Sequence, residues 1–371
     1  MEHRPDLKEL CCLNPECRLY GQRGADNLIV RKTYGQDQIR YLRCRWCGEE
    51  FSERKGTALF NLKISEAKAA DIIDHLDAGC GVVATAQLVG VSKDTVSRLI
   101  RFTGRTSRKV HDRLVRNLTP VALQFDEKWA YTRKKQRHLT PKDDPTQAGD
   151  RWDLLSLDPQ TKVLVSLVPG PRTTQTLQHL VADTASRLSP EAPQPALFTD
   201  GEPAYPDLLL RTFGHYYPAP RRARTGRPPA PILRVPQDLV YAQIVKTRRG
   251  GRVVQVDIRP IFGKGKLPKV VQALGWKKAN LSAIERFNLT DRCRNRRKVR
   301  KTLAFSKRTT LHDGMSWISA VRYNFLHPHR SLRRRTPEGR WEHRTPAMAA
   351  GLADHPYSTL ELLRLCPVGR G

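Results

Sequence analysis

Four cysteines stand in two close pairs, Cys12-x4-Cys17 and Cys44-x2-Cys47, separated by 26 residues. Thiolates at this spacing, each pair in a turn, close a tetrahedral cage around zinc. Four protein thiolates leave no open position, so the metal is expected to be structural, one per chain. Cys11 is a spare, and Cys12 suits the shorter turn better. A second set of candidates is acidic: Asp126 ends the alternation Val121, Leu123, Phe125; Asp200 follows Ala196-Leu-Phe-Thr; and Glu285 opens a stretch that turns almost purely cationic. From Arg286 to Arg308 there are ten Lys or Arg and one acid, Asp291. A carboxylate at the head of such a run suggests a metal or proton site beside a polyanion. A plainer reading stands beside it. Ser282-x-x-Glu285 is also a capping box, and a basic helix can be no more than a solvated face.

The elements that must position these acids follow from periodicity. Leu281 to Phe305 lacks Pro and Gly and reads as one helix with Ser282 as its N-cap. Glu285, Asn288 and Arg292 then share a face, with Ile284 and Phe287 to the side. Upstream, Pro120–Tyr131 is a strand, and Arg151–Leu157 with Lys162–Val168 forms a hairpin across Asp158-Pro-Gln-Thr161. Thr174–Leu188 is an amphipathic helix, Pro195–Asp200 a short strand, and Asp207–Phe213 another helix. Strand with acid, hairpin, helix, strand with acid, helix and later a helix with an acid is the order of a ribonuclease H-like fold. In that fold the acid-bearing strands are neighbours in a mixed sheet and the last helix packs across their ends, so Asp126, Asp200 and Glu285 converge. Three carboxylates in one cleft repel one another and call for cations. Two Mg²⁺ (or Mn²⁺) roughly 4 Å apart would activate a water or a 3′-hydroxyl and stabilise the leaving oxygen of a phosphodiester. Among other acids, Glu127 is expected on the opposite sheet face as a surface or supporting group. Asp153 and Asp158 are ascribed to turn chemistry, and Asp257 to the segment before the glutamate.

The remaining chain points to a polyanionic partner. A length of 371 residues allows two or three domains, and a net charge of +30 makes nucleic acid the default ligand. No apolar run is long enough to span a bilayer, and the polar start Met1–Asp6 is followed by no signal-peptide core. Eight cysteines in a chain of this size do not make a disulfide framework, so an intracellular setting is expected. Between the cysteine pairs, Asn27–Thr33 and Gln38–Arg43 read as strands joined across Gly35, giving a zinc ribbon over residues 8–56. Ser65–Leu76, Val82–Val89 and Lys93–Phe102, with Gly90-Val-Ser92 as the turn, make a helix-turn-helix over 62–104. Lys93, Thr95, Ser97 and Arg98 would face the major groove while Val96, Leu99 and Ile100 hold the helix down. Residues 105–118 read as a basic linker and 119–326 as the catalytic domain, with an insertion at about 216–280. Within that insertion Pro218–Pro236 is extended and irregular, and Asp238–Val245 with Arg252–Ile258 forms a hairpin with a cationic tip. Residues 327–371 read as a basic tail, of which 331–371 form an irregular arm and a short final helix; a metal role for His327 or His329 is not expected.

The runs Phe125-Asp-Glu-Lys-Trp-Ala-Tyr131, Phe198-Thr-Asp-Gly201, Ile284-Glu-Arg-Phe-Asn-Leu-Thr290 and Arg300-Lys-Thr-Leu-Ala-Phe-Ser306 resemble transposases of the insertion-sequence-one family. The resemblance covers roughly residues 11 to 326. It implies a DNA transposase, with an Asp-Asp-Glu catalytic triad that the motifs carry onto Asp126, Asp200 and Glu285. Three departures stand out: the first cysteine pair is wider than is common in the family, the chain is continuous where many members split it between two reading frames, and residues 214–280 are a long insertion.

The expectation is therefore a Mg²⁺-dependent enzyme of a prokaryotic cytoplasm, associated with the nucleoid. It would bind the terminal inverted repeats of an element, cleave the 3′ ends and join them to target DNA. Asn288 would orient a ligand or the scissile phosphate, while Arg292, Arg296, Arg297 and Arg300 would hold the DNA backbone. Two DNA ends must be held together, so a homodimer or larger assembly on DNA is expected. A DNA-binding regulator derived from such an enzyme, catalytically inactive, is the alternative.

Overall fold

The structure, a computed structural model, describes residues 4–219 and 230–368. At the N-terminus β1 (Leu28–Tyr34), β2 (Ile39–Cys44) and β3 (Glu50–Ser52) form an antiparallel sheet, one strand more than the periodicity predicts. Three helices follow: α1 (Glu66–Asp77), α2 (Val82–Val89) and α3 (Lys93–Leu114). Gly90 terminates α2 with φ +68°, a left-handed conformation that suits glycine. Ser92 then caps α3 by accepting from the Thr95 amide at 3.1 Å. Ile72, Ile73, Leu76, Val96, Leu99 and Ile100 are buried together, as the helix-turn-helix pattern requires.

Residues 105–118 are not a linker. They are largely the second half of α3, whose Gly104, Ser107 and Val110 form a buried stripe while Arg105, Arg108 and Lys109 point to solvent. The basic composition is the exposed face of a packed helix.

The central sheet comprises β4 (Ala122–Thr132), β5 (Gly149–Leu157), β6 (Leu164–Gly170), β7 (Ala196–Thr199), β10 (Tyr241–Arg249) and β11 (Arg252–Phe262). Its spatial order is β11-β10-β7-β4-β5-β6. The β4–β5–β6 and β10–β11 pairs are antiparallel, whereas β7 lies parallel to both β4 and β10. Helices α4 (Thr174–Ser186) and α5 (Tyr205–Phe213) cover one face; α7 (Ser282–Arg294) and much of α8 (Thr309–Phe325) cover the other, preceded by the short α6 (Leu267–Ala273). The result is a mixed α/β layer structure.

The hairpin expected at 238–258 is present as β10–β11, with Arg248, Arg249 and Arg252 at its tip, and its inner strand also belongs to the central sheet. Tyr241–Gln243 pair in register with Leu197–Thr199, so β10 is an internal strand of the sheet. Tyr241, Ala242, Gln243 and Ile244 are buried in succession, the signature of a strand covered on both faces. Only the outer part projects, turning at Gly250 and Gly251, both with positive φ. Of the Pro218–Pro236 segment, residues 220–229 lie outside the described residues. Within that segment β9 (Ile232–Arg234) pairs with β8 (His215–Tyr217), which precedes it, as a small ladder.

The short final helix expected in the tail is present, and the C-terminal residues are docked. The short helices α9 (Pro346–Ala349) and α10 (Thr359–Arg364) pack on the body of the protein. Leu360 and Leu363 enter the core of the helical module, and Leu363 O accepts from the Ala58 amide at 3.2 Å. Apolar spacing in α10 is too short to announce a docking face. Asp77, buried at the end of α1, ties the helical module to the larger domain through Arg294 at 3.1 Å, Arg322 at 3.1 Å and His327 at 2.7 Å. Burial raises the Asp77 carboxyl, yet these partners outweigh it and hold the group down at about 2. No helix among the described residues is long and apolar enough to cross a membrane.

Candidate metal-binding cleft

Asp126 lies on β4, Asp200 directly beyond the end of β7, and Glu285 one turn into α7. Because β4 and β7 are parallel neighbours, the first two acids leave the sheet side by side. Gln124, fully buried two residues before Asp126, places the third. Its amide donates to Asn280 O at 2.8 Å and its carbonyl accepts from the Ile284 amide at 2.9 Å, fixing the start of α7 over β4. A lone amide inside an apolar strand was the sequence signal for this residue, and the strand reading passed over it.

The three acids line one cleft of about 860 Å³ together with Asn288, Arg292, Arg300, Lys246 and Arg248. Asn288 donates its amide to Asp126 at 2.7 Å. Burial, and then the charges of Glu127 and Asp200, push the Asp126 carboxyl up to about 7. Burial likewise raises Asp200. The oxygen donors of the cleft suit a hard divalent cation. Glu285 ion-pairs with Lys246 of β10. Among the described residues only the four cysteines bring all their ligand atoms within 4.8 Å of one another; the carboxylates share the cleft at wider spacing.

The helix carrying Glu285 differs from its expected form at both ends. Ser282 is its first residue, not its cap, and Asn280 Oδ1 accepts from the Ser282 amide at 3.0 Å. Glu285 faces the cleft instead of returning to the helix start, so the capping-box alternative does not hold. At the other end α7 stops at Arg294 rather than continuing to Phe305. Lys298 is drawn inward to Asp153 at 2.8 Å, His312 at 2.7 Å and Ser316 at 2.6 Å, and a straight helix would not deliver it there. The same turn buries Arg297, which is 7% exposed, and burial lowers its guanidinium to about 10. Arg297 is therefore removed from the phosphate-binding set, whereas Arg296 and Arg300 are exposed and Arg292 is partly so.

Two neighbouring acids also need correction. The Glu127 side chain is only 2% exposed and lines the cleft, where it accepts from Tyr205 and pairs with Arg172 at 3.1 Å. Asp153 is not a turn residue; it lies on β5, buried between Lys298 and Lys128, the latter at 3.3 Å. Lys128 also pairs with Asp291 of α7, so a buried ionic network pins that helix to β4. Asp158 does follow turn chemistry, accepting from the Gln160 amide at 2.9 Å and the Thr161 hydroxyl at 2.5 Å. Asp257 lies on β11, accepting from Gln255 at 2.6 Å, and is not among the residues lining the cleft.

Outside this cleft, Cys12, Cys17, Cys44 and Cys47 bring their sulfurs together, with Cys12 and Cys47 at 3.7 Å. A tetrahedron of thiolates around zinc has an edge of about 3.8 Å, so the donor set fits a structural zinc. Burial raises the Cys44 thiol, but the amides of Cys47, Trp46 and Asn27 outweigh it and bring the group to about 7. Cys11 is outside the cluster, its thiol directed to Val368 O at 3.5 Å. At the head of α3, Lys93 is exposed, and Thr95, Ser97 and Arg98 are partly exposed, while Val96, Leu99 and Ile100 are buried.

No protein-family model matches the chain, and no curated protein matches it. Solved structures with similarity include a piggyBac transposase synaptic complex with hairpin DNA, at 11% identity over 72% of this chain and 73% of that chain, with a TM-score of 0.29. A Mos1 strand transfer complex is 12% identical over 70% of this chain and 78% of that chain, with a TM-score of 0.18. A pre-cleavage Mos1 transpososome, 11% identical over the same shares, also has a TM-score of 0.18.

Proposed function

We propose that the chain is a DNA transposase of the insertion-sequence-one type, with a ribonuclease H-like catalytic core. The observation that carries this reading is the cleft itself. Acids from β4, the end of β7 and α7 line it, burial and the charges of Glu127 and Asp200 push the Asp126 carboxyl up to about 7, and arginines line it as well. Such a cleft attracts a divalent cation to its floor and a polyanion to its rim.

Asp126, Asp200 and Glu285 would hold Mg²⁺ or Mn²⁺; when bound, the metal lowers the pKa of a water or 3′-hydroxyl and stabilises the leaving oxygen of a phosphodiester. The chain's own groups do the rest. Asn288 fixes the Asp126 carboxylate, Gln124 sets the start of α7, and Lys128 with Asp291 holds its later turn. Arg248, Arg292 and Arg300 hold backbone phosphates, while Lys93, Thr95, Ser97 and Arg98 on α3 read the terminal repeats from the major groove. Two DNA ends are joined in one reaction, so the working form is a homodimer or larger on DNA, in the nucleoid of a prokaryotic cell.

The test is Mg²⁺-dependent strand cleavage on duplexes carrying the inverted repeats that flank the gene, with Asp200→Asn as control. Cleavage by the wild type alone supports the assignment; equal cleavage by both proteins removes it. One observation favours the second reading, a catalytically inactive DNA-binding regulator: Lys246 already neutralises Glu285. That reading predicts repeat-specific binding with no cleavage by the wild type.

A further inference from the structure

We propose that Leu303 is a wedge that enters the base stack of DNA lying against the acidic cleft, an inference that rests on the DNA-processing function above. Single exposed leucines are ordinary on protein surfaces. Three features set this one apart.

The first is its degree of exposure. Leu303 is 99% exposed, while the other exposed large apolar side chains range from 38% to 64%. It touches essentially nothing in its own chain, so packing does not account for an aliphatic residue there. The second is its mounting. The backbone on either side is anchored: the Tyr131 hydroxyl donates to Thr302 O at 3.4 Å, and the Ala304 amide donates to Thr302 Oγ1 at 2.9 Å, closing a tight turn. Phe305 stacks on Tyr131 with ring centroids 5.3 Å apart, and Ser306 O accepts from the Arg133 amide at 2.8 Å. A backbone held in such a turn leaves only the side-chain rotamers to be ordered when the leucine is inserted into a partner.

The third is its setting. Arg300 and Lys301 precede it, and Lys307 and Arg308 follow it, all exposed. Arg300 lines the acidic cleft, and three residues of chain reach at most about 10 Å. An exposed apolar residue flanked along the chain by exposed cations, close in sequence to a cleft-lining arginine, matches the chemistry of a nucleic-acid backbone with an apolar base stack between its phosphates. Apolar side chains inserted at base steps unstack them and bend the duplex, and the cost falls where stacking is already broken. Leu303 would thereby open the helix beside the bond to be cut.

The probe is a 30-base-pair duplex of fixed sequence, fully paired or with a single-nucleotide gap, carrying 2-aminopurine beside the gap. The full-length, zinc-loaded wild type is expected to bind the gapped duplex at least fivefold more tightly and to raise the 2-aminopurine fluorescence at least twofold. Leu303→Ala, which alters no internal contact, should bind the paired duplex within twofold of wild type yet lose both the gap preference and the fluorescence rise. Leu303→Phe should keep them. Retention of gap preference by Leu303→Ala, or binding by the wild type without any such preference, overturns the wedge while leaving the DNA-binding function standing. A change in oligomeric mass on Leu303→Ala with the gap preference intact assigns the leucine to a protein contact and also overturns it. If the wild type binds neither duplex, the DNA function itself fails.

Discussion

Asn288 on α7 and Asp126 on β4 meet amide nitrogen to carboxylate oxygen at 2.7 Å, joining the helix that carries Glu285 to the strand that carries the first acid. The other atom of that amide, Oδ1, is buried and has no protein partner, so the residue keeps one acceptor free at the cleft. The geometry ties the electrostatics of Asp126 to the placement of α7.

Asp126 has a pH signature. Burial and neighbouring charges raise its carboxyl from 3.8 to about 7 in the folded chain. Between those values the folded chain binds a proton that the unfolded chain has lost, so this group's contribution is fully present below about pH 4 and lost as pH rises through about 7. Asp126→Asn should therefore be more stable than wild type at pH 8 in the absence of Mg²⁺, on the order of 2 kcal/mol after allowing for solvent in the cleft, with the difference closing near pH 4. Urea unfolding at the two pH values, with zinc retained, measures it.

The cysteine cluster makes a separate prediction. Cys12→Ser and Cys44→Ser should each lose the zinc and lower the thermal midpoint of the N-terminal module. Cys11→Ser should keep one zinc per chain, because its thiol faces Val368 rather than the cluster. Elemental analysis of the purified variants decides between the adjacent cysteines.

The buried pairs beneath the cleft have an energetic consequence. Lys128→Met leaves Asp291 and Asp153 without one of their cationic partners in a buried setting. Removing one side of a buried ion pair costs roughly 3–5 kcal/mol, and denaturant unfolding should show a loss of that size. A loss under about 1 kcal/mol would mean that the network is solvated.

Gly104 of α3 crosses Gly314 of α8 so closely that a Cβ on Gly104 would sit 2.4 Å from the Gly314 Cα. Backbone atoms cannot give way as a flexible side chain can. Gly104→Ala should destabilise the chain by about 3 kcal/mol through overpacking, read from the urea midpoint. It should also loosen the attachment of the helical module, measured as faster amide exchange along α3.

These particular residues show how far the sequence can be read. Cys12 to Cys47 and the Gly90–Ser92 turn were legible because local spacing specifies them, whereas Asp126, expected near the end of its strand, lies in the middle of β4. The crossing of Gly104 with Gly314 was not legible, since it depends on two residues more than 200 positions apart. The end of α7 was hidden for the same reason: Lys298 turns inward to meet Asp153, 145 residues away in sequence. Composition made Arg297 look like a phosphate contact, and only tertiary burial removes it. Likewise β10 read as a hairpin arm because periodicity reports a strand without naming its neighbour; pairing with β7 makes it part of the sheet. The face that each charged residue takes is set by such distant partners.

Manganese binding to the full-length, zinc-loaded chain, followed by electron paramagnetic resonance without DNA, tests the shared metal site most directly. Wild type should bind Mn²⁺, and Asp126→Asn, Asp200→Asn and Glu285→Gln should each weaken that binding at least tenfold while retaining zinc. Unchanged Mn²⁺ affinity in all three variants would contradict the account.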